Sequence, residues 1–234
     1  MRVVFWLLLI AILVDLFYMM IVIYKLYDDH HVYCQSLFNS GQVSMRVSKE
    51  QAAENREKII TTAAQLFREK GFGGIGVADL MKAAGLTHGG FYGHFDSKED
   101  LMAQACERAV DELLQAGETR RTESNDTPYI AFLKNYLSIG HRDNPGAGCL
   151  MAALGAEAAR QNPIVRSAFT QSAKRLYSAL IEIIPASNKK KARENALITL
   201  SMLVGAQTIA RALDDESASQ EVLALVLKRA KEIS

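Results

Sequence analysis

Residues 77–95 read VADLMKAAGLTHGGFYGHF, and SKEDL follows at 97–101. A short amphipathic segment at 77–84 gives way to a turn at Gly85-Leu86, and a second short segment begins at Thr87. Two short helices about a glycine turn form the helix-turn-helix layout, in which the second helix enters the DNA major groove. Leu80, Ala84, Leu86, Phe91 and Phe95 are the apolar set expected to seat both segments on a longer helix.

Between those apolar positions lie the groups suited to nucleic acid. Thr87 stands at the N-cap of the second helix and offers a hydroxyl and a methyl to a base or phosphate. His88 follows it on the exposed side. Gly89 and Gly90 each lower helix propensity by roughly 1 kcal/mol relative to alanine. Such a pair makes sense where backbone must approach another surface closely. Tyr92 and His94 carry polar tips suited to phosphate, and Lys98 opens the next helix. His88 and His94, six residues apart, do not share a helical face and make no metal pair.

The run FYGHFDSKEDL at 91–101, preceded by the glycine turn and the Thr87 helix, resembles the tetracycline-repressor (TetR) family of bacterial transcription regulators. The resemblance is strong over residues 55–116; beyond them the chain matches the family in length and all-helical character. It implies that Thr87, His88, Gly89 and Gly90 face the bases and that Tyr92, His94 and Lys98 hold phosphates. Many members place Ser or Thr at the cap where this chain has Gly76, so a phosphate contact there would come from backbone N–H. The resemblance further implies a homodimer on a palindromic operator, with half-sites about one helical turn apart. A small-molecule or electrophile signal would release it, and no cofactor is implied.

The rest of the chain is helical in pattern, and the fold class is all-α. Ile59, Ala63, Leu66 and Phe67 recur at helical spacing, with Arg56, Lys58, Arg68 and Lys70 between them, and Gly71 is placed to end that helix. Asp96 or Ser97 caps the next helix, expected to run to about residue 117. The polar stretch ETRRTESNDTP at 118–128 reads as a boundary. Later helices are expected at about 129–141, 149–161, 163–184, 190–213 and 218–233. The domains expected are a reader at 45–97 and a helical sensor and dimerisation domain at 98–234.

With 27 Lys+Arg against 26 Asp+Glu, the chain has no global basic excess, so any DNA contact must be local. Cys34, Cys106 and Cys149 show neither a disulfide framework nor zinc spacing, which suits a reducing cytoplasm. Residues 3–24 are apolar except for Asp15 and long enough to span a bilayer. Two readings follow: a membrane-tethered regulator, or translation from Met45 with residues 1–44 an upstream extension.

In the sensor half, Tyr129, Phe132, Tyr136, Met151, Phe169 and Tyr177 are candidates for an effector pocket, and each also suits ordinary core. Ala196, Thr199, Leu203 and Ala206, with Val222, Leu225 and Val226 on the last helix, are candidates for a four-helix dimer interface. The alternative for them is an intramolecular core. Cys149 follows PGAG where a helix begins, with His141 and Arg142 just before the loop. A thiol there meets the positive end of the helix dipole, which favours thiolate and makes Cys149 a candidate sensor. The bland alternative is a small buried cysteine. A thiol enzyme using Cys149 is a third function class, but no carboxylate or amide is identifiable to orient His141.

Overall fold

Why the helix-turn-helix stands at all is a packing question, because its first helix has only seven residues, too few to persist alone in water. It is held by helix α1, Lys49–Lys70, whose N-terminus is capped by the Ser48 hydroxyl accepting from Gln51 N–H at 3.1 Å. Ile59, Ile60, Ala63, Ala64 and Phe67 form the buried stripe of α1. Helix α2, Val77–Ala83, lays Leu80 and Met81 on that stripe. Gly85 turns the chain at φ +70°, and the second segment, His88–Gly93, is a 3₁₀ helix rather than an α-helix. Phe91 and Phe95, rings 5.5 Å apart, anchor it to the core. At the far end of α1, Gly71 takes φ +80° and its N–H donates to Phe67 O, as a C-capping glycine does.

The computed structural model describes residues 48–123 and 125–233. The apolar stretch at 3–24, Cys34 and the Met45 start lie outside the described residues.

Helix α3, Lys98–Glu123, begins where Ser97 Oγ accepts from Asp100 N–H at 3.1 Å. It runs six residues past the expected end, because nothing in 118–123 breaks a helix. Its first half packs on α1 and its length on α7, so it belongs to both halves of the protein. The helix expected at 129–141 is two: α4, Pro128–Tyr136, and α5, Ile139–Asp143, the second capped by Ser138 Oγ accepting from His141 N–H. A 3₁₀ turn at Pro145–Ala147 leads to α6, Leu150–Ala158, with Cys149 at its N-cap. Helices α7 (Pro163–Ile183), α8 (Lys189–Ala212) and α9 (Glu216–Lys231) follow, capped by Asn162, Asn188 and Asp215. No strand occurs among the described residues, and the fold is all-α as the periodicity indicates.

Candidate DNA-reading face and effector cavity

The packing of Leu80, Ala84, Phe91 and Phe95 inward decides what the 3₁₀ segment shows to solvent. Thr87, His88, Gly89 and Tyr92 are all exposed, Tyr92 at 70%. Thr87 occupies the N-cap position, but its side chain makes no capping bond, leaving hydroxyl and methyl turned outward. A Cβ at Gly89 would meet nothing within 4 Å, and one at Gly90 only ordinary contacts at 3.8 Å with Met81 and Thr87. Nothing inside the chain therefore requires glycine at 89. His94 is half-buried, and its backbone N–H closes the segment on Phe91 O. Gly76 caps α2 without a side-chain bond.

Lys98 is a correction. Its ammonium donates to Phe72 O at 2.7 Å and Ile75 O at 2.6 Å, and lies 5.8 Å from the centre of the Phe67 ring. Two of its three hydrogens are spent on the loop between α1 and α2, so it is an internal clamp rather than a phosphate contact. Arg56, read in the sequence only as a polar-side residue of α1, stacks 5.2 Å over Phe95 and donates to Gln104 Oε1 at 2.5 Å, bracing the reader against α3.

The C-terminal helices surround a partly open cavity of about 120 Å³ between α3, α4, α7 and α8. Leu113, Leu114, Leu176, Leu180, Ile183 and Leu200 make its apolar walls, and Gly117, Glu118 and Pro128 stand at its exposed end. Phe132, Tyr136, His141 and Cys149 also line it. Of the six aromatic and Met candidates, Phe132 and Tyr136 line the cavity and four do not. Tyr129 is core, its hydroxyl donating to Ala230 O at 2.8 Å. Tyr177 donates to Arg193 O at 3.0 Å, bracing α7 on α8. Phe169 faces Gly155 of α6, and Met151 packs on the core. The sequence could not sort them, because aromatic residues at helical spacing suit a core and a cavity wall equally well.

Cys149 is fully buried at the α6 N-cap, and its N–H donates to His141 Nε2 at 2.9 Å. His141 Nδ1 faces Tyr136 O at 2.6 Å, so the proton sits on Nδ1 and Nε2 is the acceptor. Both ring nitrogens are thus engaged with backbone, and His141 is no base for the thiol. Gln207 also donates to Tyr136 O, and Arg211 donates to His141 O at 2.7 Å and Arg142 O at 3.0 Å. The other described cysteine, Cys106, is buried in α3, and burial pushes its thiol up to about 12.

The chain is similar to known DNA-binding regulators. The profile described as "Bacterial regulatory proteins, tetR family" matches residues 59–105, which span the end of α1, the helix-turn-helix and the start of α3. The repressor NemR of Escherichia coli K12 is 28% identical over 160 residues, covering 65% of this chain and 76% of NemR. The repressor DhaR of Mycobacterium sp. GP1 is 30% identical over 112 residues, 48% of this chain and 56% of DhaR. The chain carries a TetR-family DNA-binding domain over residues 59–105. It is a DNA-binding helix-turn-helix transcription regulator. Reduced E. coli NemR superposes with a TM-score of 0.64 at 25% identity, covering 77% of this chain and 96% of NemR. A TetR-family regulator of Agrobacterium tumefaciens shares the fold with a TM-score of 0.62 at 19% identity.

The helix-turn-helix half and the C-terminal helices are joined by a few buried polar contacts. Arg68 of α1, 4% exposed, donates to Gly148 O at 3.1 Å, directly before Cys149, and pairs with Glu112 of α3 at 2.6 Å. Glu157, near the end of α6, accepts from Phe72 N–H at 2.8 Å. Both ends of α6 therefore hold the DNA-binding half, one through Arg68 and the other through the loop that Lys98 clamps. A Cβ on Gly71 would overlap the Glu157 carboxylate.

The expected dimer face requires a second correction. Ala196, Thr199, Leu203 and Ala206 are buried within this single chain, together with Ala192 and Ala210. Their small side chains let α9 lie close on α8, and they are intramolecular core. The other side of α8 is the open one: Leu197, Ile198 and Ile209 are 50%, 54% and 52% exposed, with Ser201, Gly205 and Thr208 between them. On α9, Leu225 is exposed at 58%, while Val222 and Val226 are partly buried against the core.

Proposed function

We propose that this regulator is a repressor that binds a palindromic operator as a homodimer and lets go when a small molecule or electrophile reaches the Tyr136–Cys149 cavity. The observation that carries it is the open patch of Thr87, His88, Gly89 and Tyr92 held on a rigid Phe91–Phe95 base, a surface with no task inside the chain. Thr87, His88, Gly89 and Gly90 read bases, and Tyr92 with His94 takes phosphates. The reader is assigned to 45–97 and the sensor and dimer surfaces to 98–234, with Leu197, Ile198, Ile209 and Leu225 facing the second copy. Such a protein works where the chromosome is, in the cytoplasm. To clear an operator, the effector must favour the released form by a few kcal/mol. The relatives named above are repressors, which supports the direction of control.

The test is selection of binding sites from random duplexes by the purified chain. A palindrome with half-site centres about 34 Å apart is the expected outcome. Binding that is sequence-independent and salt-sensitive would overturn the assignment of Thr87 to Gly90.

A covalent route to release is favoured by the position of Cys149, a fully buried residue of the cavity lining that stands at the N-cap of the helix that grips the reader. Cys149→Ser should abolish release of operator by a thiol-reactive enone while sparing operator affinity; unchanged release would exclude Cys149 as the sensor. The enzyme alternative has no support in the geometry, since His141 is committed to backbone on both nitrogens. No helix among the described residues is long and apolar enough to cross a membrane.

A further inference from the structure

With Lys98 spent on the Phe72 and Ile75 carbonyls, the helix-turn-helix must draw its phosphate-neutralising charge from elsewhere. The other cations around it sort quickly. Arg56 is stacked on Phe95 and bonded to Gln104, and Arg68 is buried against Glu112. Lys49, Lys58, Lys70 and Lys82 are exposed and make no hydrogen bond or ion pair among the described residues. One of these ammonium groups stands at the reading segment. A Cβ on Gly85 would lie 3.3 Å from Lys58 Nζ, so that ammonium rests beside the turn preceding Thr87. We infer that Lys58 is a DNA-contacting residue, holding a backbone phosphate beside the bases that Thr87 and His88 address. This rests on reading the Thr87–Tyr92 face as the one that meets DNA.

The carboxylates nearest Lys58 in sequence are turned to other partners. Glu54, one helical turn before it, accepts from Gln51, and Glu57 pairs with Arg108. The ammonium therefore breaks no bond within the described chain to take a phosphate, and it releases a condensed counterion from the DNA when it does. Gly85 contributes by what it lacks. Its φ of +70° calls for glycine, and the missing Cβ also leaves that side of the turn open to the ammonium. Thr87 follows two residues on, at most about 7 Å of chain away. Its hydroxyl makes no capping bond, so a cation and a hydroxyl stand together at one edge of the reading segment. Lysine acts on phosphate as a point charge, and such a contact fixes register on the duplex without reading sequence. Lys70 supplies the contrast. It is exposed on the same helix, roughly 18 Å further along the axis, next to the Gly71 end that lies against Glu157 of α6.

Fluorescence anisotropy of the full chain across a sodium chloride series reads the contact, on a duplex recovered by selection and on a mixed-sequence duplex of equal length. Lys58→Met should make the slope of log affinity against log salt shallower by about 0.9 per bound copy, or about 1.8 for a dimer. For a dimer at 0.15 M salt that is a loss of roughly thirtyfold, equal on both duplexes, with the lines meeting near 1 M. Lys70→Met removes the same charge from the same helix and should leave the slope unchanged. Lys58→Arg should keep it too, and Lys58→Met should melt with the unaltered protein. An unaltered slope in Lys58→Met, an equal change in Lys70→Met, or a slope lost in Lys58→Arg would overturn the inference. His88→Ala judges the reading face separately. If it abolishes preference for the selected duplex while Lys58→Met changes nothing, the face stands and the contact falls. If it changes neither duplex while Lys58→Met flattens the slope, Lys58 meets DNA and the face is redrawn. Where selection returns no motif, the mixed-sequence duplex alone carries the Lys58 test, and no binding to it overturns both.

Discussion

Replacing Lys98 with methionine separates two roles that a lysine at a helix start can play. If Lys98 held a phosphate, a dimer on its operator would lose two contacts. The slope of log affinity against log salt would then become shallower by roughly 1.8, with folding untouched. The structure places the ammonium on two carbonyls instead, at 2.7 and 2.6 Å, beside the Phe67 ring. Charge-assisted hydrogen bonds contribute about 1.5–3 kcal/mol each, and a half-exposed cation–π contact about 0.5–1 kcal/mol. Methionine keeps the apolar stem, and water can reach part of the site, so the net loss should be near the lower end, about 3 kcal/mol. For a folded unit of this size that lowers the melting temperature by roughly 6–12 °C. Thermal unfolding and a salt series of operator binding on the same preparation read both quantities. A variant that melts with the unaltered protein while its salt slope becomes shallower would refute the clamp.

Other consequences are as direct. Ile209→Lys puts an ammonium on the open face of α8; two such groups buried unpaired in a dimer should cost about 3–5 kcal/mol, and light scattering should report monomer. A dimer of undiminished stability would move the interface elsewhere. Gly71→Ala forces a side chain into φ +80° and against Glu157, and chemical denaturation should show a loss of about 1–3 kcal/mol. In the link between α5 and α9, hydrogen bonds from Arg142 hold Asp143 and Glu216 below the usual carboxylate range. Lowered folded-state values mean that this stability is complete above the unfolded range near pH 4 and drains away as pH falls through the lowered values. Arg142→Met should flatten the acid limb of the melting curve, and a limb of unchanged steepness would assign acid sensitivity to other groups.

Much of this was open to reading in the chain. The caps at Ser97 and Gly71, the glycine turn at 85 and the buried positions Leu80, Phe91 and Phe95 were all visible, because each follows from a residue and its immediate neighbours. The exposed patch at Thr87 to Tyr92 followed as the complement of that apolar set. The α4–α5 break was harder, since Ser138 caps α5 in a stretch whose apolar pattern runs on uninterrupted. Lys98 was misread because the carbonyls it serves, Phe72 and Ile75, lie more than twenty residues away in sequence.

What the sequence by itself determined is the all-α class, the helix-turn-helix and the side of it that faces outward, all consequences of short-range periodicity and capping. What only the tertiary structure decided is the choice between equals. Helix α8 carries two apolar stripes, Ala196–Thr199–Leu203–Ala206 and Leu197–Ile198–Ile209, and periodicity cannot rank them. The small-residue stripe is inside because it lets α9 approach closely, a fact about a neighbouring helix. The cavity is decided in the same way. Tyr129 and Tyr136 sit seven residues apart on one face of α4, yet one hydroxyl finds Ala230 O and the other finds no such partner. That difference arises from where α8 and α9 pass, and no local pattern in the chain encodes it.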